Sequence, residues 1–116
     1  MTKEIIAASF DVINELDSGF LEKVYENSLA LLLRERGFQT DQQVPLIVKF
    51  RNHEVGTCTA DLIVAEKVLV ELKSVKNLLP EHSAQVINYL KVIGLQVGLL
   101  INFGSPILEY KRFYAV

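Results

Sequence analysis

A chain of 116 residues holds one domain built on one modest core and excludes a second. Half of it is apolar and 22% is charged, which is ordinary globular composition and excludes a disordered chain. A net charge of −2 excludes a surface coated in positive charge that grips nucleic acid everywhere, while a local phosphate-binding cleft remains compatible with it.

The single Cys58 cannot form an internal disulfide or a cysteine-built zinc site, and it is read as filling core space. Met1 to Phe10 has no hydrophobic region of the secretory kind, and the apolar window Val97–Phe103 is too short to span a bilayer. The expected protein is cytoplasmic, with no membrane association and a single domain over residues 1–116.

In chain order, Ile5, Ile6, Ser9, Val12, Ile13 and Leu16 recur at helical spacing and predict a helix over Lys3–Leu16. Asp17-Ser18-Gly19 interrupts it, with Asp17 or Ser18 expected to cap a second helix over Phe20–Arg36. Leu21, Val24, Ser28, Leu31 and Leu32 are its expected buried stripe, widened by Leu29 and Leu33, and Gly37 ends it. Glu22 and Glu26, four apart, share a face, and on composition alone they read as a solvated edge. Tyr25 reads as core with its hydroxyl at the rim.

From Gln43 the period becomes two. Val44 to Phe50 predicts a strand, with Pro45 placing it at an edge or a strand start. Arg51-Asn52-His53 is a turn. Glu54–Val64 and Lys67–Ser74 are second and third strands of an antiparallel meander. Pro80 or Glu81 opens a third helix reaching Ile93, with Ala84, Val86, Ile87, Leu90 and Ile93 on its apolar side and Gly94 closing it. His82, Gln85 and Tyr89 are placed along one rim of that helix, with no partner at metal-ligand spacing for His82. Gln96–Asn102 reads as a central strand covered on both sides and parallel to a neighbour, and Ile107–Tyr114 as a terminal strand. The order α-α-β-β-β-α-β-β describes an α/β chain of α+β character, a mixed β-sheet flanked by helices.

The chemistry concentrates in Ala60 to Ser74, ADLIVAEKVLVELKS. A hairpin centred near Glu66 pairs residues whose numbers sum to 132, so Leu62 opposes Val70 and Asp61 opposes Glu71. Side-chain alternation then puts Asp61, Glu71 and Lys73 on one face. Opposed carboxylates repel away from water, a divalent cation removes that repulsion, and hard oxygen ligands select Mg²⁺ or Mn²⁺. The competing reading is a solvated Glu–Lys contact, and a one-residue slip of register would turn Asp61 away.

Gly19-Phe20-Leu21-Glu22-Lys23-Val24-Tyr25 matches the GxxExxY signature, and the chain resembles the GxxExxY family of small bacterial proteins, placed in the PD-(D/E)xK nuclease superfamily. FLEKVYEN, ADLIV, VELKSV, PEHSAQVINYL and VGLLINFG extend the likeness along nearly the whole chain. The resemblance implies a PD-(D/E)xK nuclease-like αβββαβ core with the first helix and last strand as additions. It maps the metal-binding acids onto Asp61 and Glu71, with the carbonyl of Leu72 as a further ligand. Lys73 falls on the (D/E)xK lysine, Glu26 or Glu22 completes the metal's shell with Glu26 preferred, and Gln85 and Tyr89 fall on a QxxxY element. Relatives commonly carry histidine where this chain has Ile13 and glycine where it has Asp17.

The expected function is a Mg²⁺- or Mn²⁺-dependent phosphodiester hydrolase acting on nucleic acid, DNA ahead of RNA. Its rivals are an inactive nucleic-acid-binding or protein-interaction module of the same fold and a small phosphate-ester hydrolase. A homodimer through the apolar edge Ile107–Val116 is a further expectation.

Overall fold

The computed structural model describes residues 1–115. Its elements run α1 (Thr2–Leu16), α2 (Glu22–Glu35), β1 (Thr40–Phe50), β2 (His53–Val64), β3 (Val68–Lys73), α3 (Pro80–Ile93), β4 (Val97–Asn102) and β5 (Glu109–Tyr114). The five strands form one sheet in the order β1-β2-β3-β4-β5. β3 and β4 are parallel, joined through α3, and the other neighbours are antiparallel. This is the mixed sheet flanked by helices, in the order read from the sequence.

The β2–β3 register pairs Leu62 with Val70, Ile63 with Leu69 and Val64 with Val68. Ala65 and Glu66 in the turn take positive φ, as do Arg51 and Asn52 in the β1–β2 turn. That left-handed geometry follows the twist of tight hairpins. Period two then divides the core. Leu62, Val64, Val70 and Leu72 join α1 and α2 on one face of the sheet, around Ile5, Tyr25, Leu29 and Leu33. Ile63, Leu69 and Leu100 meet Val86 and Leu90 of α3 on the other, with half-buried Cys58 packed beside them. Alternation carries the Leu69 row onward to Glu71 and Lys73.

Three expectations need correction. The buried residues of α2 are Tyr25, Glu26, Leu29, Ala30 and Leu33, whereas Leu21, Val24 and Leu31 are exposed. The buried face is rotated because Tyr25 and Glu26 find polar partners that make their burial affordable, which a count of aliphatic residues does not register. Neither Asp17 nor Ser18 caps α2; its N-cap is Leu21, without a side-chain hydrogen bond. On α3, Ala84 and Ile87 face solvent, leaving Val86 and Leu90 as the buried anchors. The helix ends where expected, with Gly94 in the left-handed conformation at φ 78°. β1 and β5 are the sheet edges, and of the apolar edge 107–116, Val116 lies outside the described residues.

Candidate functional site

Beyond Leu62 and Val70 the regular ladder between β2 and β3 gives way to side chains. Glu71 Oε1 accepts the Asp61 N–H at 3.1 Å, and Asp61 Oδ2 accepts the Leu72 N–H at 2.8 Å. Each carboxyl group thus binds the backbone of the opposite strand, and the two acids interlock where the hairpin opens. Glu71 is only 2% exposed. Burial, and then the negative charge of Asp61, push its carboxyl up to about 9, so it carries a proton at neutral pH. Lys73 acts in the opposite direction but more weakly. Glu71 and Lys73 form no ion pair with each other among the described residues, so the simple Glu–Lys surface contact is not what the sheet presents.

Glu26, also 2% exposed, is held differently. Lys23 Nζ donates to its Oε2 at 3.0 Å, Gln42 Nε2 to Oε2 at 2.7 Å and Gln43 Nε2 to Oε1 at 2.5 Å. The solvated-edge reading of Glu26 is therefore overturned. Gln43 also reaches Asp61 Oδ1 at 3.3 Å and so links the helix acid to the sheet acid. Its backbone sits at φ 51°, between the paired positions Gln42–Leu62 and Val44–Ala60. This local break in β1 coincides with the side chain that joins the two acids. Gln42 and Gln43 were not singled out from the sequence. A polar doublet just before Pro45, at the start of an edge strand, is the signal they left.

Glu22 opens α2 one turn before Glu26 and keeps contact with solvent. Its carboxyl is raised, first by partial desolvation and then by the nearby Asp61, with Lys73 opposing. Glu22, Asp61 and Lys73 thus share one electrostatic neighbourhood. On α3, Gln85 Nε2 donates to the Tyr89 hydroxyl at 3.0 Å. Burial raises that hydroxyl, the Gln85 contact opposes the rise, and Cys58 and Glu71 add to it. Gln85 and Tyr89 flank the acids from the α3 side and make no hydrogen bond to Lys73 among the described residues. His82 serves the helix instead: its Nδ1 accepts the Leu79 N–H at 3.0 Å and caps α3.

The α1–α2 connection is pinned to this site. Tyr25, fully buried, donates its hydroxyl to the Asp17 carbonyl at 2.6 Å and accepts the Phe20 N–H at 3.1 Å. Its ring stacks on Phe103, with centroids 4.8 Å apart. Asn102 performs a similar service at the end of β4. Its Oδ1 accepts from Val75 and Gly104 N–H at 3.0 and 2.9 Å, and its Nδ2 donates to the Val75 carbonyl and Glu109 Oε1, both at 2.9 Å. A Cβ on Gly104 would lie 2.4 Å from the Val75 backbone, so only glycine fits there. Asn102 escaped the sequence reading because it looks like the polar end of an apolar strand.

Between these two supports lies an open cleft of about 570 Å³, lined by Gly19, Phe20, Leu21, Glu22, Ser74, Val75, Lys76 and Gly104. Among the described residues no three His, Cys, Asp or Glu side chains gather in a group fit for a metal ion. The acid set is therefore the interlocked pair, with Glu22 at its margin.

A family model described as the PD-(D/E)XK nuclease superfamily matches residues 1–113. The chain belongs to the PD-(D/E)XK nuclease superfamily. Glu71-Leu72-Lys73 spells the (D/E)XK of that name, with Asp61 across the hairpin. Among solved structures the chain is similar to the one titled "Crystal structure of SSO0001", with TM-score 0.67 and 15% identity. The likeness covers 80% of this chain and 50% of that one, so this PD-(D/E)XK chain matches about half the length of its structural neighbour. At that identity the likeness concerns the fold. A search of curated proteins gave no match. No helix is long and apolar enough to cross a membrane among the described residues.

Proposed function

We propose that the chain is a divalent-metal-dependent phosphodiester hydrolase acting on nucleic acid, with Asp61, Glu71 and Lys73 as its working centre. The observation that carries this reading is the interlock of Asp61 and Glu71, a buried carboxyl group set against a half-buried one, whose repulsion a proton on Glu71 relieves. A cation held there takes the place of that proton. Two carboxylates and the Leu72 carbonyl form an all-oxygen set, and Mg²⁺ is commonly held by one or two carboxylates with water and phosphate filling its shell. The pair therefore fits Mg²⁺ or Mn²⁺ without a third acid. When bound, such a metal supplies Lewis acidity toward the phosphodiester.

The remaining roles belong to the chain. Lys73, without a carboxylate partner among the described residues, offers positive charge to the phosphate as negative charge develops. Glu22 is the better placed of the two helix acids to complete the centre, because Glu26 is already held by three donors. Glu26 acts through Gln43 as a positioning residue for Asp61. Gln85 and Tyr89 orient the substrate from the α3 side. Membership of the GxxExxY family is part of the same proposal. It is supported by Gly19 at φ 115°, Glu22 beside the acids and Tyr25 pinning the loop between them.

The test is calorimetric titration of metal-free protein with Mn²⁺ beside an Asp61→Asn control, followed by mixed DNA and RNA substrates. Saturable binding lost in the control, with cleavage by the wild type, is expected. Lys73→Ala should abolish cleavage and leave Mn²⁺ binding largely intact; cleavage at the normal rate by that variant would sink the mechanism. A non-catalytic nucleic-acid-binding module is the second reading, favoured by the absence of a three-residue acid group among the described residues. Metal-independent binding of nucleic acid without cleavage would select it.

A further inference from the structure

The cleft beside the acids has an unusual wall. Phe20 and Leu21 are 48% and 81% exposed, next to Glu22 and Lys76. Exposed apolar side chains gathered at the mouth of a polar cleft are more informative than scattered ones, because they have something to cover. Phe20 is also held in place. Its N–H is bound by the Tyr25 hydroxyl and its carbonyl by Ser74 Oγ at 3.3 Å, so its backbone is tied to both α2 and the segment following β3. Its ring stands edge-on to Tyr25, with centroids 6.2 Å apart, and Tyr25 stacks on Phe103. The row of three rings runs from the core to the surface, and Phe20 is its open end. A ring fixed before binding loses little freedom when a second ring lies on it.

The cleft volume, about 570 Å³, falls in the usual range for sites that take a small planar group. Lys76 lines it, Lys73 directly precedes its Ser74, and neither lysine is in an ion pair among the described residues. Two cations suit a short length of phosphate backbone. They do not suit broad duplex binding, which draws its affinity from many phosphate contacts, and the net charge of −2 supplies no wider field. Bases in a duplex are stacked on each other and offer Phe20 no face. An unpaired base does, and stacking on an aromatic side chain is the main sequence-tolerant source of affinity for single strands.

We propose that the cleft holds an unpaired nucleobase against Phe20, which makes single-stranded nucleic acid the substrate class of this protein. The proposal rests on the reading of Asp61, Glu71 and Lys73 as a phosphodiester-cleaving centre, which Glu22 connects to the cleft. Lys73 and Lys76 take the phosphates flanking the stacked base, and Leu21 covers its edge.

The chain has no tryptophan, so Phe20→Trp introduces a single indole reporter at this position. Its fluorescence, with Ca²⁺ in place of Mn²⁺, is followed against oligo-dT, oligo-U and a blunt DNA duplex. Anisotropy of the same labelled strands is measured with wild type and Phe20→Ala. Quenching by one or both single strands and none by the duplex is expected. Phe20→Ala should weaken single-strand binding about tenfold, the scale of one stacked base, and leave duplex binding unchanged. Equal wild-type affinity for single strand and duplex, unchanged single-strand affinity in Phe20→Ala, or no binding of either would overturn the proposal. Mn²⁺ titration of the same proteins separates the two failures. Metal binding retained by wild type and Phe20→Ala leaves the acid centre standing while the stacking platform falls. Wild type that binds no Mn²⁺ removes the centre itself. Thermal unfolding shows whether Phe20→Ala keeps its fold, and Phe20→Trp, which keeps an aromatic ring against Tyr25, reports the stacking independently.

Discussion

Glu26 and Glu71 are equally buried and both linked to Asp61, one through Gln43 and the other directly, yet the fold treats them in contrary ways. Glu26 receives an ammonium and two amide groups, so its charge is met by the protein alone. Glu71 receives one backbone N–H and faces another carboxyl group, and a proton must make up the difference. Buried charge is normally compensated, so the acid left short of partners is the one awaiting something from outside. On the proposed reading, one acid holds the structure together and the other is available for chemistry.

The sharpest way to break this contrast is to remove each acid in turn. Glu71→Gln replaces a group already neutral at pH 7 with a neutral isostere. It should change stability by less than about 1 kcal/mol below pH 4.5 and leave the protein more stable than wild type at neutral pH, where the wild type takes up a proton on folding, while abolishing saturable Mn²⁺ binding and lowering cleavage by at least about a hundredfold. Glu26→Ala should do the reverse. It removes the acceptor shared by Lys23, Gln42 and Gln43, costs about 2 kcal/mol in denaturant unfolding, and weakens Mn²⁺ binding only about tenfold. If Glu26→Ala lost metal as completely as Glu71→Gln, the two acids would belong to one centre and the contrast would collapse.

A second test uses pH. The folded carboxyl of Glu71 stands near 9 against an ordinary 4.5, so between those values the folded state holds a proton that the unfolded chain has released. Stability contributed by this group is complete below pH 4.5 and is lost as pH rises through about 9. The slope expected for one proton is about 1.4 kcal/mol per pH unit. Glu71→Gln should flatten the curve by that amount. Mn²⁺ affinity should rise with pH in the same window by up to about tenfold per unit, because binding displaces the proton. A wild-type stability curve parallel to that of Glu71→Gln would show that Glu71 is not the strained member.

The smallest effect lies outside both acids, in the loop that delivers Glu22. Asp17 sits at φ 61° and ψ 175°, a region that glycine occupies freely and other residues do not. Asp17→Gly should stabilise the protein by about 1 kcal/mol, read as a higher thermal midpoint, with metal binding unchanged. The glycine that the resemblance leads one to expect here has this conformational reason.

How much of this was legible depended on the kind of pattern. The β2–β3 register followed from two Val-rich runs around a short polar turn, and the sum rule that paired Leu62 with Val70 also placed Asp61 opposite Glu71. Alternation is local, so it survives without knowledge of the rest of the chain. The orientation of α2 was not legible in that way. Its leucines spread around the helix, and the deciding residues, Tyr25 and Glu26, are buried because of partners that approach from other segments. Gln43 lies 17 residues from Glu26 and 18 from Asp61, and no local period announces such a bridge. Long-range polar satisfaction is the part of a fold that a one-dimensional reading sees last.

The two walls of the cleft also differ in what mutation can do to them. On the Gly104 side the chain passes so close to Val75 that no side chain can be added, and three of the four Asn102 hydrogen bonds hold that crossing. That wall is closed to variation. Opposite it, Phe20 and Leu21 project from a loop anchored through backbone groups and the Tyr25 hydroxyl, so their side chains can be exchanged without releasing the anchor. A lineage adapting this scaffold to a new substrate, or an engineer doing so deliberately, has one wall to rewrite and one to leave alone.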